Sequence, residues 1–175
     1  MGLGIFAGDP GVSHWGTHRG YAAEQQAVAE LSRQVGLPVS TAMSATVQAM
    51  KHLEIRSTVI ATAYKETINQ AVRKYYEDAG IEVLAIRGLD VSKPMEQVKL
   101  PDYASYKVAR ELYRQHSKTD SLLIQERRRS VAYIQELEDD TQKPALSSTP
   151  ASLRRVMHVL GIKVPIPGFG KLLRG

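Results

Sequence analysis

Tyr64, Gln125, Glu126 and the arginines at 127, 128 and 129 are the residues whose type and placing could do chemistry in this chain. Glu126 could act as a general base, with His14 or His18 as its partner. The competing reading is a loop carboxylate neutralised by the arginines beside it, with solvated loop histidines, and the residue types favour it. One of the arginines, Arg127 first, could grip a carboxylate through two parallel N–H bonds, a fork that lysine does not have; plain surface charge is the alternative. Tyr64 ends a short apolar run, where its hydroxyl could reach a ligand or merely cover a loop. The 175 residues include no cysteine. That removes thiol nucleophiles, disulfides and thiolate metal sites together. No His-x-x-x-His pair or carboxylate pair stands at ligand spacing, and Gly2, Gly4 and Gly8 make no dinucleotide fingerprint. Neither a metal nor a cofactor is expected.

These residues need elements to hold them, and the hydrophobic pattern supplies an α/β alternation. Ser57 to Thr62 is a compact β-branched run of the buried-strand type. Behind it Ile68, Ala71, Val72, Tyr75 and Ala79 fall at helical spacing, and Gly80 provides the stop. Ile81 to Ile86 reads as a second strand, and Asp102 to Gln115 as an amphipathic helix with Tyr106, Ala109, Leu112 and Tyr113 near one face. Ser121 to Ile124 is a third strand, followed by a helix through Val131, Ile134 and Leu137; Pro144 to Ser147 is a short fourth. A four-stranded parallel sheet follows from this repeat.

The flanks are less regular. Leu3 to Ala7 reads as a strand, then a Gly-rich loop leads to a helix from about Tyr21 to Val35. Gly36 to Val39 turns into a short strand, and Thr41 can cap the helix that carries Ala45, Ala49, Met50 and Leu53. Ala151 to Leu160 is helical, stopped by Gly161, and Pro165, Pro167, Gly168 and Gly170 mark an irregular tail. One strand, one short strand and two helices would leave apolar faces uncovered, so residues 1–55 are expected to be an incomplete α/β domain beside a complete one over 56–148. Open faces and a free strand edge predict self-association.

Several stretches, in order, resemble the arylmalonate decarboxylase and maleate cis-trans isomerase branch of the aspartate/glutamate racemase superfamily. They are Gly36 to Met50; Val59 to Tyr64 with Asn69 behind it; Ala79 to Val83; Leu137-Glu138 with Lys143 to Ala151; and Pro167 to Leu173. Each is weak alone, but five in sequence order cover nearly the whole chain. The resemblance implies Rossmann-like parallel-sheet domains of the racemase type, the first one lacking an opening βα segment. It also implies an active site at the strand ends between domains, and residues 149–175 returning to pack on the first domain.

The resemblance further implies a cofactor-independent isomerase, racemase or carboxy-lyase acting on small mono- or dicarboxylic acids through an enediolate-type intermediate. Such enzymes use cysteine thiols to move protons at carbon. The two cysteine positions correspond here to Gly8 and Gln125. Glycine at the first fits the decarboxylases, but their following hydroxyl residues correspond to Asp9 and Pro10. A carboxylate there would repel a substrate carboxylate, and proline has no N–H to give. Glu126 stands where glycine is expected. The amide of Gln125 cannot donate or accept a proton at carbon at neutral pH, so impaired or absent catalysis is expected. Tyr64 matches the family tyrosine that lends its hydroxyl to the carboxylate pocket, and Glu126 and Arg127 complete the expected substrate contacts.

A non-catalytic relative that binds a small carboxylate or a protein partner is the second reading. The net charge of +5 raises a third, a nucleic-acid module using Arg127 to Arg129 with Arg154 and Arg155. No zinc-finger spacing, RNP-like motif or long basic tail accompanies those arginines, so a solvated basic face is the reading adopted. The apolar runs are too short to span a bilayer, and Met1 to Phe6 lacks the charged and apolar regions of a signal peptide. A cytoplasmic protein is expected.

Overall fold

The computed structural model describes residues 4–5, 20–91, 94–97, 99–101, 103–126 and 130–174. Gly8, Asp9, Pro10, Arg127, His14, His18, Arg128 and Arg129 lie outside the described residues.

Two parallel sheets are formed. β1 (Gly4–Ile5) pairs with β2 (Val39–Ser40). Between them α1 (Tyr21–Val35) ends at Gly36, whose φ of 66° is the left-handed conformation that closes a helix. α2 (Ala42–His52) starts with a full capping box: Thr41 Oγ1 accepts from the N–H of Ser44, and Ser44 Oγ accepts from the N–H of Thr41.

The larger sheet contains β3 (Ser57–Thr62), β4 (Glu82–Gly88), β5 (Ser121–Gln125) and β6 (Ala145–Ser147), in the order β4-β3-β5-β6. Its helices are α3 (Glu66–Asp78), the short α4 (Pro94–Gln97), α5 (Ala104–Gln115) and α6 (Ile134–Thr141), the last entered through a 3-10 turn at Ser130–Tyr133. α7 (Ser148–Val159) then lies along α2, and α8 (Lys171–Arg174) closes the described chain. The parallel α/β architecture is the one the sequence predicts; β4 and β5 each run past the apolar residues that announce them, to Gly88 and Gln125.

Strand side chains alternate between the two faces. Ile60, Leu123 and Leu146 join a core with Val47, Met50, Val72, Tyr75 and Tyr76. Val59, Ala61, Leu122, Ile124 and Ala145 join the other, with Tyr106, Ala109, Leu112, Ile134 and Leu137. Helices therefore cover both faces, which is why these strands read as continuous apolar runs.

The bottom of the sheet is tied by Asp120. Its Oδ2 accepts the N–H groups of Arg56 (3.0 Å) and Ser57 (2.9 Å), and its own N–H donates to Ser57 Oγ (3.0 Å). Burial alone would raise its pKa, but those donors and the charge of Lys143 outweigh it and hold the carboxyl below its ordinary value. Stability from this clamp is thus present above the ordinary aspartate value of 3.8 and lost as pH falls through the lower folded value. Asp120→Ala is expected to cost about 1–2 kcal/mol, a partly exposed pair of bonds to a charged acceptor, read as a lower urea midpoint at pH 7. An unchanged midpoint would rule the clamp out as a stabilising feature.

Candidate functional site

The strand order makes the site legible before any side chain is considered. From β3 the chain moves outward to β4, then returns to the opposite side of β3 to lay down β5 and β6. The connections on either side of the β3–β5 seam leave on opposite faces, and a crevice opens at the carboxyl ends of those two strands. Thr62 pairs with Gln125 across that seam and with Gly88 on its other side. Tyr64, Gln125 and Glu126 therefore share one edge of the sheet.

Tyr64 is placed by its own backbone. Its N–H donates to Thr62 Oγ1 (3.0 Å), and the Thr62 hydroxyl donates to Oδ1 of buried Asn69 (2.7 Å). Gly88 lets the two strand ends approach: a Cβ built on it would sit 1.9 Å from the Tyr64 carbonyl oxygen and 2.8 Å from Asn69 Nδ2. Asn69, noted in the sequence only as a follower of the tyrosine, is the peg that fixes this turn.

Gln125 is 7% exposed and its Oε1 accepts from the Tyr76 hydroxyl at 2.9 Å. Burial pushes the Tyr76 hydroxyl above its ordinary pKa; the Thr46 hydroxyl works against this, while the nearby Tyr64 and Glu24 add to it. Tyr76 is thereby held protonated as a donor. With its oxygen so engaged, the amide of Gln125 has N–H groups to offer a ligand.

Glu126 is expected to pair with the arginines beside it, and those arginines lie outside the described residues. It is 4% exposed, its Oε2 accepts from Ser105 Oγ and its Oε1 from the Tyr133 hydroxyl (2.7 Å). Tyr133 stands in an aromatic cluster with Tyr103 and Tyr106. Each oxygen of this carboxylate thus accepts a hydrogen bond from a hydroxyl.

Sequence reasoning missed a second buried carboxylate, Glu24 on α1, which is 1% exposed. It accepts from Thr41 Oγ1 (2.7 Å) and from the Tyr75 hydroxyl. Burial raises its pKa, with the Tyr75 and Thr41 hydrogen bonds opposing the rise. Tyr75 is pushed up in turn, by burial first and then by the Glu24 charge. Tyr75 and Tyr76 meet edge to face at 5.5 Å, so α3 connects Glu24 and Thr41 on one side with Gln125 on the other. Glu24 stands three residues into an amphipathic helix, a position that carries no signal of burial in the sequence. Among the described residues no three His, Cys, Asp or Glu side chains gather as metal ligands, and no helix is long and apolar enough to cross a membrane.

The parallel α/β arrangement is that of the aspartate/glutamate racemase fold, seen in solved arylmalonate decarboxylase and maleate isomerase structures. The family model described as arylmalonate decarboxylase matches residues 11–173, and the chain belongs to that family. It is 27% identical over 143 residues to the maleate isomerase of Alcaligenes faecalis, covering 81% of this chain and 56% of that protein. Among solved structures it is similar to arylmalonate decarboxylase (TM-score 0.84, 20% identity, 92% of this chain and 72% of that one). A variant of the Nocardia farcinica maleate cis-trans isomerase with a cysteine changed to serine is also similar (TM-score 0.83, 23% identity, 89% and 65%), and that protein carries a covalently bound succinylcysteine intermediate. The chain spans 56–66% of the length of the curated maleate isomerases it matches.

Proposed function

We propose that this chain holds a small carboxylate at the ends of β3 and β5 without moving a proton at carbon. The observation that carries the reading is Gln125: a buried amide, its oxygen fixed by Tyr76, at the strand end where the family places a proton-donating thiol, in a chain with no cysteine at all. An amide N–H is a good donor to a carboxylate but does not ionise near neutral pH. Binding survives such a replacement; general acid catalysis does not. Tyr64 supplies the hydroxyl of the pocket; Gly8, Asp9, Pro10 and Arg127 match site positions of the family pattern and lie outside the described residues. Glu126 supports the Tyr133 side of the pocket through its two hydroxyl partners.

Calorimetry with malonate and maleate tests the binding, and solvent deuterium incorporation or carbon dioxide release from an arylmalonate tests the chemistry. The expected result is saturable binding with no turnover. Gln125→Cys is expected to gain decarboxylation or exchange of order 10² above the unaltered chain, the scale of a positioned general acid. That activity should decline above a pH of roughly 8.5, as the thiol ionises. Turnover of either acid by the unaltered chain would overturn the proposal and restore an enzyme that works without thiols.

A further inference from the structure

α2 and α7 lie side by side through stripes of small residues, and between them runs a surface groove of about 150 Å³ with an alanine floor. Its polar lining is Gln48 and His52 from α2 and Arg154, Arg155 and His158 from α7. Among the described residues no carboxylate lines it. Arg154 Nη2 donates to Nε2 of His52 across the groove at 3.3 Å, so the two helices aim cationic and imidazole groups at one spot. Arg155 is half-buried, and its Nε–H is buried with no hydrogen-bond partner among the described residues. The groove is on the outer helices, with none of the strand-end residues of the carboxylate pocket in its lining.

We infer that this groove is a second anion site, made for a phosphate group on a small molecule. Two guanidinium forks and two imidazoles from opposite walls present donors in several directions, which suits the spread of oxygens on a tetrahedral phosphate better than the two coplanar oxygens of a carboxylate. The groups converge on one pocket rather than tracking along a surface. A nucleic-acid backbone, with charges repeating every few ångströms, would want cations strung out along its path.

The test is titration of inorganic phosphate, pyrophosphate and malonate into the full chain, followed by the ring C–H signals of His52 and His158. Phosphate and pyrophosphate are expected to shift both rings saturably, and to do so more tightly than malonate. Arg155→Gln and, separately, Arg154→Gln should each weaken phosphate binding about tenfold or more, the loss of one charge-assisted contact; circular dichroism checks that each variant is folded, and His52→Gln stands in for one that is not. Binding that is absent, that prefers malonate, or that is equal in folded variants overturns the inference. So does a short oligonucleotide that shifts the same rings at lower phosphate concentration than pyrophosphate, with affinity falling steeply with salt, because the ligand would then be nucleic acid.

Discussion

Gly88→Ala is expected to destabilise the protein by roughly 3–4 kcal/mol, well above the cost of ordinary overpacking, and to loosen the strand-end pocket with it. The new Cβ would meet the Tyr64 carbonyl oxygen at 1.9 Å and the carbonyl carbon at 3.0 Å. Both are backbone atoms, so no rotamer change relieves the clash. The strand ends would have to part by more than an ångström. That motion strains the bonds just beyond the ladder, Leu89 N–H to Thr62 O (3.1 Å) and Val91 N–H to Ala63 O (2.9 Å), and shifts Tyr64 itself. Gly36→Ala is the control. Its φ of +66° makes a side chain unfavourable, but nothing lies within 4 Å, so about 1 kcal/mol is expected. Urea unfolding of both variants reads the difference, which in a chain of this size is a fall in Tm of roughly 10 °C against roughly 3 °C. Equal losses at the two positions would mean that the strand ends yield freely and do not fix Tyr64. On the proposed function, Gly88→Ala also weakens malonate binding under conditions where the variant is still folded.

The contrast between these glycines shows what a sequence carries and what it does not. Gly36 announces itself, since it follows an amphipathic run and precedes a proline turn, and the structure gives it the left-handed conformation. Gly88 sits inside a strand with an ordinary backbone, and its necessity arises from a carbonyl 24 positions away in the chain. The same division runs through the candidate site. β3 and β5 are legible because burial on both faces leaves unbroken apolar runs, and their ends place Tyr64 and Gln125. The partners of those residues are not legible. Tyr76 stands four residues after Val72 and three before Ala79, on the same stripe as Tyr75, so its burial is legible, but nothing in the spacing says that its hydroxyl is spent on Gln125. Glu126 looks like the start of a charged loop, yet it is buried and accepts from Ser105 and Tyr133, brought over by α5 and the 3-10 turn. Periodicity reports which face is buried. It does not report which polar groups meet inside.

Glu24 offers the sharpest use of that distinction, through the dependence of stability on pH. Its folded pKa is raised above the ordinary 4.5, by burial first, against the Tyr75 and Thr41 hydrogen bonds that favour the charged form. Between 4.5 and the raised value the folded state holds a proton that the unfolded state has released, so stability falls as pH rises through that window. Glu138 is raised as well, by burial, against donors from Ala145 and Lys171 and the charge of Arg174, and adds to the same slope. The difference between the unaltered chain and Glu24→Gln removes that shared part. The glutamine variant should therefore gain on the unaltered chain as pH rises from 4.5 to the raised value and hold that gain above it, with its own profile flatter. Its amide oxygen accepts from one of the two hydroxyls, and its NH2 group donates to the oxygen of the other, so its fold is kept. Glu24→Ala behaves differently: it strands the buried Tyr75 hydroxyl and the Thr41 hydroxyl that also caps α2, a loss of about 2–3 kcal/mol at low pH, where the carboxyl is protonated in the folded and unfolded states alike and no charge penalty is relieved. Urea unfolding across a pH series that begins below 4.5 checks both statements. A constant difference between Glu24→Gln and the unaltered chain would show that Glu24 carries its charge into the fold at no cost, and that α1 and α3 are joined there by hydroxyls alone.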